Sequence, residues 1–232
     1  MKLIVLTGGI STGKSTVAKL LSQRYSIPVI DSDSIAHEIQ QPGQKAYKQI
    51  IEHFGKTVVN DDGSINRKAL GAIIFSNPAE RRALNKITHP KVLFQLFKRS
   101  FICWIKGESI VVLDIPLFFE GSLPKWIFHE IITVSCDEQA QKERLIKRNT
   151  LSEDDATKRI LSQLPLRLKR QKSTIVIDNN GSLQDLENNC ESIVRNWKKK
   201  YNHIWYPHPL LVIATAVIIW QIKFLLQWQN QV

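Results

Sequence analysis

Gly8-Gly9-Ile10-Ser11-Thr12-Gly13-Lys14-Ser15 satisfies the spacing G-x-x-x-x-G-K-[ST]. Each residue type has a physical reason at its place. Gly8 permits a turn that a Cβ would obstruct, and Gly13 lets the backbone approach an anion closely. Successive N–H groups then point inward and form a nest for phosphate, closed by the positive end of the following helix. Lys14 reaches the β and γ oxygens of a nucleoside triphosphate, and the Ser15 hydroxyl is a ligand for Mg²⁺. The loop implies triphosphate binding but does not name what receives the phosphate.

Four further groups of residues carry chemistry suited to that loop. Asp31-Ser32-Asp33 offers a carboxylate to take the proton of an attacking hydroxyl or to hold a metal through water, or else a helix N-cap. Asp114 opens Asp114-Ile115-Pro116-Leu117-Phe118-Phe119-Glu120 and is placed to reach Mg²⁺ directly or through water. The apolar residues after it either line a pocket or plug the sheet edge. Arg144 and Arg148 are four apart, so a helix sets them on one face, and on a lid they close over a transferring phosphoryl group and exclude water. Asn179-Asn180-Gly181-Ser182 marks a tight turn with no guanine-reading N-K-x-D, which argues against a GTPase.

These groups require elements to position them. Leu3–Leu6, Pro28–Ile30, Ile110–Leu113, Ile131–Val134 and Thr174–Ile177 are short apolar runs, each followed by polar or glycine-containing sequence. They read as five buried strands, with helical spacing from Lys14 to Arg24 and again over roughly 35–106. Strands separated by helices predict an α/β fold with a mostly parallel sheet, in which ligands collect at the C-terminal strand ends. The first glycines, Asp31, Asp33 and Asp114 all fall there.

Composition narrows the class. The 232 residues are 43% hydrophobic and 23% charged, which excludes a wholly disordered chain and supplies one well-packed core. The 32 Lys+Arg against 21 Asp+Glu give +11, a surplus suited to phosphate-bearing ligands. No aromatic-interleaved basic patch points to nucleic acid. Cys103, Cys136 and Cys190 form no CxxC pair, so neither a zinc site nor a disulfide framework is indicated, and a reducing compartment is expected. No signal-peptide core or Arg-rich presequence is expected at the start.

Over residues 2 to about 195 the chain resembles the dephospho-CoA kinase family. The distinguishing segments are Asp31-Ser32-Asp33-Ser34-Ile35-Ala36-His37, Phe54-Gly55, Asp62-Gly63-Ser64-Ile65-Asn66-Arg67, Ile87-Thr88-His89-Pro90-Lys91-Val92, Asp114 to Glu120, Gln163 with Pro165-Leu166, and Ile177 to Ser182. The resemblance implies a P-loop kinase fold within residues 1–200: a five-stranded parallel sheet flanked by helices, a helical acceptor-binding insertion at about 35–106, and a lid at about 144–168. It implies transfer of the ATP γ-phosphoryl group to the ribose 3′-hydroxyl of dephospho-CoA, with Mg²⁺. Asp33 would be the base, with Lys14 and Arg144 stabilising the transferred group. Gly8 to Ser15, Arg148 and Asn179 would hold ATP. Asp33, His89, Leu117, Phe118 and Glu120 would contact the acceptor. Ser15 and Asp114 would hold the metal. The chain departs from the family in having Ser11-Thr12 where Gly-Ser is usual and Asn66 where Asp is common. The alternatives are another small-molecule kinase of this fold and a non-catalytic, membrane-tethered nucleotide-binding scaffold.

A last segment stands apart. No acidic residue follows Glu191, while Arg195, Lys198, Lys199, Lys200 and Lys223 add five cations. Leu210–Trp220 is apolar except for Thr215, and a helix from Trp205 to Trp228 would rise about 34 Å, close to the thickness of a bilayer's hydrocarbon. Trp197, Trp205, Trp220 and Trp228 suggest aromatic belts, and Lys198-Lys199-Lys200 favours keeping the preceding body on the cytosolic side. Residues 205–229 are therefore expected to form a membrane-attaching helix, at the mitochondrial outer membrane or the endoplasmic reticulum.

Overall fold

The computed structural model describes residues 1–121 and 123–201. Five strands form one sheet: β1 (Lys2–Gly8), β2 (Val29–Asp31), β3 (Ile110–Asp114), β4 (Glu130–Ser135) and β5 (Ile175–Asp178), in the order β2-β3-β1-β4-β5. β1 runs parallel to β4 from Ile4↔Glu130 to Gly8↔Val134, and β4 parallel to β5 from Ile132↔Ile175 to Ser135↔Asp178. The apolar runs locate all five strands to within two residues at either end. β4 is buried along its whole length, as expected of a strand covered on both faces. The expected α/β architecture, a five-stranded parallel sheet with flanking helices, is the one present.

The chain divides into two units. The first comprises Met1–Val29, Ser100–Val112 and the chain from Pro116 onward; the second comprises Ile30–Arg99 and Leu113–Ile115. In the first unit, α1 (Lys14–Lys19) continues into a π-helical turn, Leu20–Arg24. The later helices are α6 (Glu138–Asn149), α7 (Glu153–Leu161), α8 (Leu166–Gln171) and α9 (Leu183–Tyr201). α9 buries Leu186, Cys190, Val194, Trp197 and Tyr201, spaced three or four apart on one face, against Ile4, Leu6, Ile132, Val134 and Ile177 of the sheet. Each such side chain contributes roughly 1.5–3 kcal/mol of hydrophobic burial.

Trp197 therefore does not belong to an aromatic belt. It is 1% exposed, and its Nε1 donates to Glu130 Oε2 at 2.6 Å. Lys200 Nζ and Tyr201 Oη donate to Glu130 Oε1 at 2.7 and 2.8 Å, so one carboxylate pins the last two turns of α9 to the start of β4. The expected membrane helix at 205–229 lies outside the described residues. Among those described, no helix is long and apolar enough to cross a membrane.

The second unit is helical: α2 (Ser32–Glu38), α3 (Lys45–Phe54), α4 (Arg67–Ser76) and most of α5 (Pro78–Ile105). Ile50, Val58, Ile65 and Leu70 form its core, with Ile73, Leu84 and Ile87 packed around them. Asn66 caps α4, its Oδ1 accepting the Ala69 N–H at 3.0 Å. Asparagine caps as well as aspartate, so this departure from the family leaves the helix start intact. Pro90 lies inside α5, and Lys91 Nζ donates to the Ile87 carbonyl at 2.8 Å in the turn that the proline interrupts.

Candidate active site

The phosphate loop joins β1 to α1 as its residues dictate. Gly13 is the N-cap of α1 in the left-handed conformation, φ 93°, and its carbonyl accepts the Thr16 and Val17 N–H groups. A Cβ there would lie 2.1 Å from Asn179 Nδ2, so glycine is required on both counts. Ser11, which replaces the family's usual glycine, also takes positive φ, 59°. The loop thus keeps its backbone path at the cost of a strained serine, whose hydroxyl oxygen is buried without a hydrogen bond among the described residues.

The loop's carbonyls are tied outward by side chains from later in the chain. Lys169 Nζ donates to Gly8 O (3.1 Å), Gln141 Nε2 to Ile10 O (2.8 Å) and Asn179 Nδ2 to Thr12 O (2.8 Å). Thr12 Oγ1 donates to Gly9 O at 2.9 Å, whereas the Ile10 N–H donates to Gln163 Oε1 at 3.0 Å and so is taken out of the expected row of inward-pointing amides. A peptide held by its carbonyl turns its neighbouring N–H the other way, which pre-organises an anion nest. Lys169 is fully buried and is paired with Glu120 Oε1 at 2.8 Å.

Lys169 and Gln141 are the functional positions that the sequence reading missed. Lys169 sits in Arg167-Leu168-Lys169-Arg170, which looks like a solvated basic turn, and Gln141 sits in a polar stretch. Gln163 stands out in the sequence only through the family resemblance, which does not reveal its role as a loop brace.

The expected site residues divide between the two units. In the first, α6 places Arg144 and Arg148 one turn apart. Arg144 Nη2 donates to the Asn179 carbonyl at 3.0 Å, so Arg144, Asn179 and Thr12 form a chain from α6 to the loop. Arg144 Nη1 is buried and makes no hydrogen bond among the described residues. Arg148 is exposed, with Nε donating to Asn149 Oδ1 at 2.9 Å.

Of the two roles open to the apolar residues after β3, pocket wall and plug, Phe118 takes the second. Phe118 is 2% exposed and meets Phe119 and Phe128 edge-on, each at 5.3 Å, so it plugs the body, while Leu117 is 50% exposed. Glu120 accepts from Lys169 and from the Leu164 N–H at 2.9 Å, which commits its carboxylate to bracing the base of α8.

In the second unit, Asp31 is the N-cap of α2. Its Oδ1 accepts the N–H groups of Asp33 and Ser34 at 2.8 and 3.3 Å. Asp33 is exposed in the first turn of that helix. Asp114 is 5% exposed at the end of β3, the neighbour of β2 in the sheet. Both candidate carboxylates thus stand at or just past the C-terminal ends of adjacent strands, where ligands of such sheets gather. His89 is exposed on α5. His37 pairs with Arg67, and Glu38 with Arg99, which tie α2 to α4 and α5.

Known proteins resemble the chain over most of its length. A family model described as dephospho-CoA kinase matches residues 2–185. A dephospho-CoA kinase of Halalkalibacterium halodurans is 42% identical over 196 residues, covering 84% of this chain and 96% of the relative. One from Saccharomyces cerevisiae is 37% identical over 237 residues, covering 100% of this chain and 98% of the relative. Among solved structures, TT1252 from Thermus thermophilus superposes with a TM-score of 0.73 at 31% identity, covering 84% of this chain and 97% of that one. A dephospho-CoA kinase from Campylobacter jejuni gives 0.66 at 27%, covering 86% and 99%. With the family model spanning most of its length, the chain belongs to the dephospho-CoA kinase family.

Proposed function

We propose that the chain transfers the γ-phosphoryl group of ATP to the ribose 3′-hydroxyl of dephospho-CoA, yielding CoA and ADP, the last step of coenzyme A synthesis. The observation that carries this is the braced phosphate loop in a chain matched to that family over residues 2–185. The loop amides and Lys14 hold the triphosphate. Asp33 takes the proton of the 3′-hydroxyl, whose oxygen forms the new bond to the γ-phosphorus as the bond to the β,γ-bridging oxygen breaks. Lys14, Arg144 and Arg148 stabilise the charge on the transferring group. Leu117 and His89 contact the acceptor.

Mg²⁺ takes hard oxygen donors, usually one or two from protein beside phosphate oxygens. The Ser15 hydroxyl and the Asp114 carboxylate fit that donor set. When bound, the ion neutralises charge on the β and γ oxygens.

Residues 205–229 attach the chain to a membrane, at the mitochondrial outer membrane or the endoplasmic reticulum, with the kinase body in the cytosol. The support is the apolar run Leu210–Trp220 behind Lys198-Lys199-Lys200.

The test is purified full-length protein with ATP, Mg²⁺ and a panel of acceptors. Dephospho-CoA should give ADP and a 3′-phosphorylated product in equal amounts. ADP formation with a nucleoside monophosphate or another alcohol, and none with dephospho-CoA, would overturn the reading.

A further inference from the structure

The parallel sheet gives the first unit two chemically different ends. Gly8, Ser135 and Asp178 mark the phosphate-loop end. Lys2, Glu130 and Ser109 mark the other, with the Lys2 N–H donating to the Ser109 carbonyl at 2.8 Å. The seven residues of β1 separate the two ends by about 20 Å. α9 returns to the second end, where Tyr201 bonds Glu130 and its ring lies 5.7 Å from Lys2 Nζ. Tyr201, the last described residue, therefore lies at the end remote from the phosphate loop.

That end is basic. Lys106 lies three residues before Ser109 and Lys172 two before Thr174, whose N–H donates to the Ile131 carbonyl at 2.9 Å; Lys125 lies five before Glu130, with its ammonium 5.1 Å from the centre of the Phe119 ring. Lys198 and Lys199 lie on the last turn of α9. Of the nearby acids, Glu108 stands beside Lys106, and Glu130 is occupied by Lys200. Trp126, next to Lys125, is 85% exposed, and burial in the core gives no reason for a tryptophan there.

We propose that this end, with Lys2, Lys106, Lys125, Lys172 and Trp126, is a docking face for an anionic bilayer surface. It holds the phosphate loop away from the membrane. The inference rests on the membrane-attached reading of residues 205–229: Tyr201, four residues before that segment, lies at the end where the lysines gather. Lysines near an anionic surface are attracted to its headgroups, and a tryptophan settles at the headgroup level.

The experiment is flotation of the full chain with vesicles of phosphatidylcholine alone or mixed with phosphatidylserine. Phosphatidylserine should raise partitioning at least about tenfold at low salt. The exposed-residue variant Lys106→Glu/Lys125→Glu/Lys172→Glu should lose that gain while keeping turnover on dephospho-CoA. Trp126→Ser should lower binding to both compositions by about fivefold. If the triple variant does not fold, Lys125→Glu alone should cut the gain about threefold. Equal wild-type binding to both compositions leaves the anchor standing and overturns the face. A gain that survives in a folded charge-reversed variant also overturns it. Equal affinity for duplex DNA, lost in the same variant, makes the face a general polyanion surface and overturns it as well. Binding to neither vesicle overturns both the face and the anchor.

Discussion

Lys169 and Glu120 form an ion pair of 2.8 Å in which the lysine is fully buried and also donates to the Gly8 carbonyl. The pair joins α8, the loop after β3 and the first residue of the phosphate loop. Removing one member of such a pair leaves a charge without its partner, a loss of about 3 kcal/mol. Lys169→Met should lower the free energy of unfolding by about that much in urea and raise the KM for ATP more than it lowers kcat. Glu120→Gln should cost at least as much, about 3 kcal/mol, because it leaves the fully buried Lys169 ammonium without its counter-charge, although the amide oxygen can still accept from Lys169 and from the Leu164 N–H. Unchanged stability and KM in Lys169→Met would refute the bracing role.

Ser11 carries the loop's strain. A non-glycine residue at φ 59° costs about 1–2 kcal/mol, and its buried hydroxyl makes no hydrogen bond among the described residues. Ser11→Gly removes both penalties and adds the smaller entropic cost of glycine. The expected result is a gain of about 1 kcal/mol in unfolding free energy, with ATP affinity retained. Ser11→Val should weaken ATP binding by about tenfold, since a β-branched residue resists positive φ. Calorimetric titration checks the affinities, and equal affinity in the two variants would show that the backbone path at Ser11 does not matter.

What was legible in the sequence follows from locality. The strands declared themselves as apolar runs, and the phosphate loop as a spacing whose physics lies within eight residues. Asp33 stood after a strand end in either reading. Lys169, Gln141 and Glu130 were not legible, because the reason for burying each lies far along the chain. Glu130 is one residue ahead of the apolar run Ile131–Val134, and its donors come from 67 to 71 positions later. For the same reason Trp197 read as a partner of Trp205. Its true neighbours, on the sheet, share no local pattern with it. Phe118 and Glu120 belonged to a segment that resembled a pocket wall, and only packing separated the plug from the open Leu117.

The structure also separates two carboxylates that the sequence left equivalent. Asp31 is spent on capping α2, whereas Asp33 stands exposed in the first turn of that helix. Asp31→Asn should keep kcat within a few-fold and stability within about 1 kcal/mol, because asparagine caps equally well. Asp33→Asn should lower kcat about a thousandfold while leaving ATP affinity and the melting temperature in place. Steady-state kinetics beside calorimetric ATP titration decides the matter. The opposite ranking, with Asp31→Asn the damaging change, would move the base to the other residue.

Glu130 gives the first unit a pH-dependent term whose sign can be worked out. Burial pushes its carboxyl up, but the donors from Lys200, Trp197 and Tyr201 outweigh that and hold it below its ordinary value of 4.5. A carboxyl depressed in the folded state contributes stability that is complete above the ordinary value and is lost as pH falls through the folded-state value. Glu130→Gln should therefore be about 2 kcal/mol less stable than wild type near neutrality, and the gap should close as pH drops below 4.5. Urea melts of the two proteins from neutral to acidic pH measure it, and a gap that stays constant would remove ionisation of Glu130 from the account. Hydrogen exchange adds a local readout: amides in the last turns of α9 should lose protection in Glu130→Gln while those of β1 keep theirs, because the carboxylate holds the end of that helix and the sheet interior is packed without it.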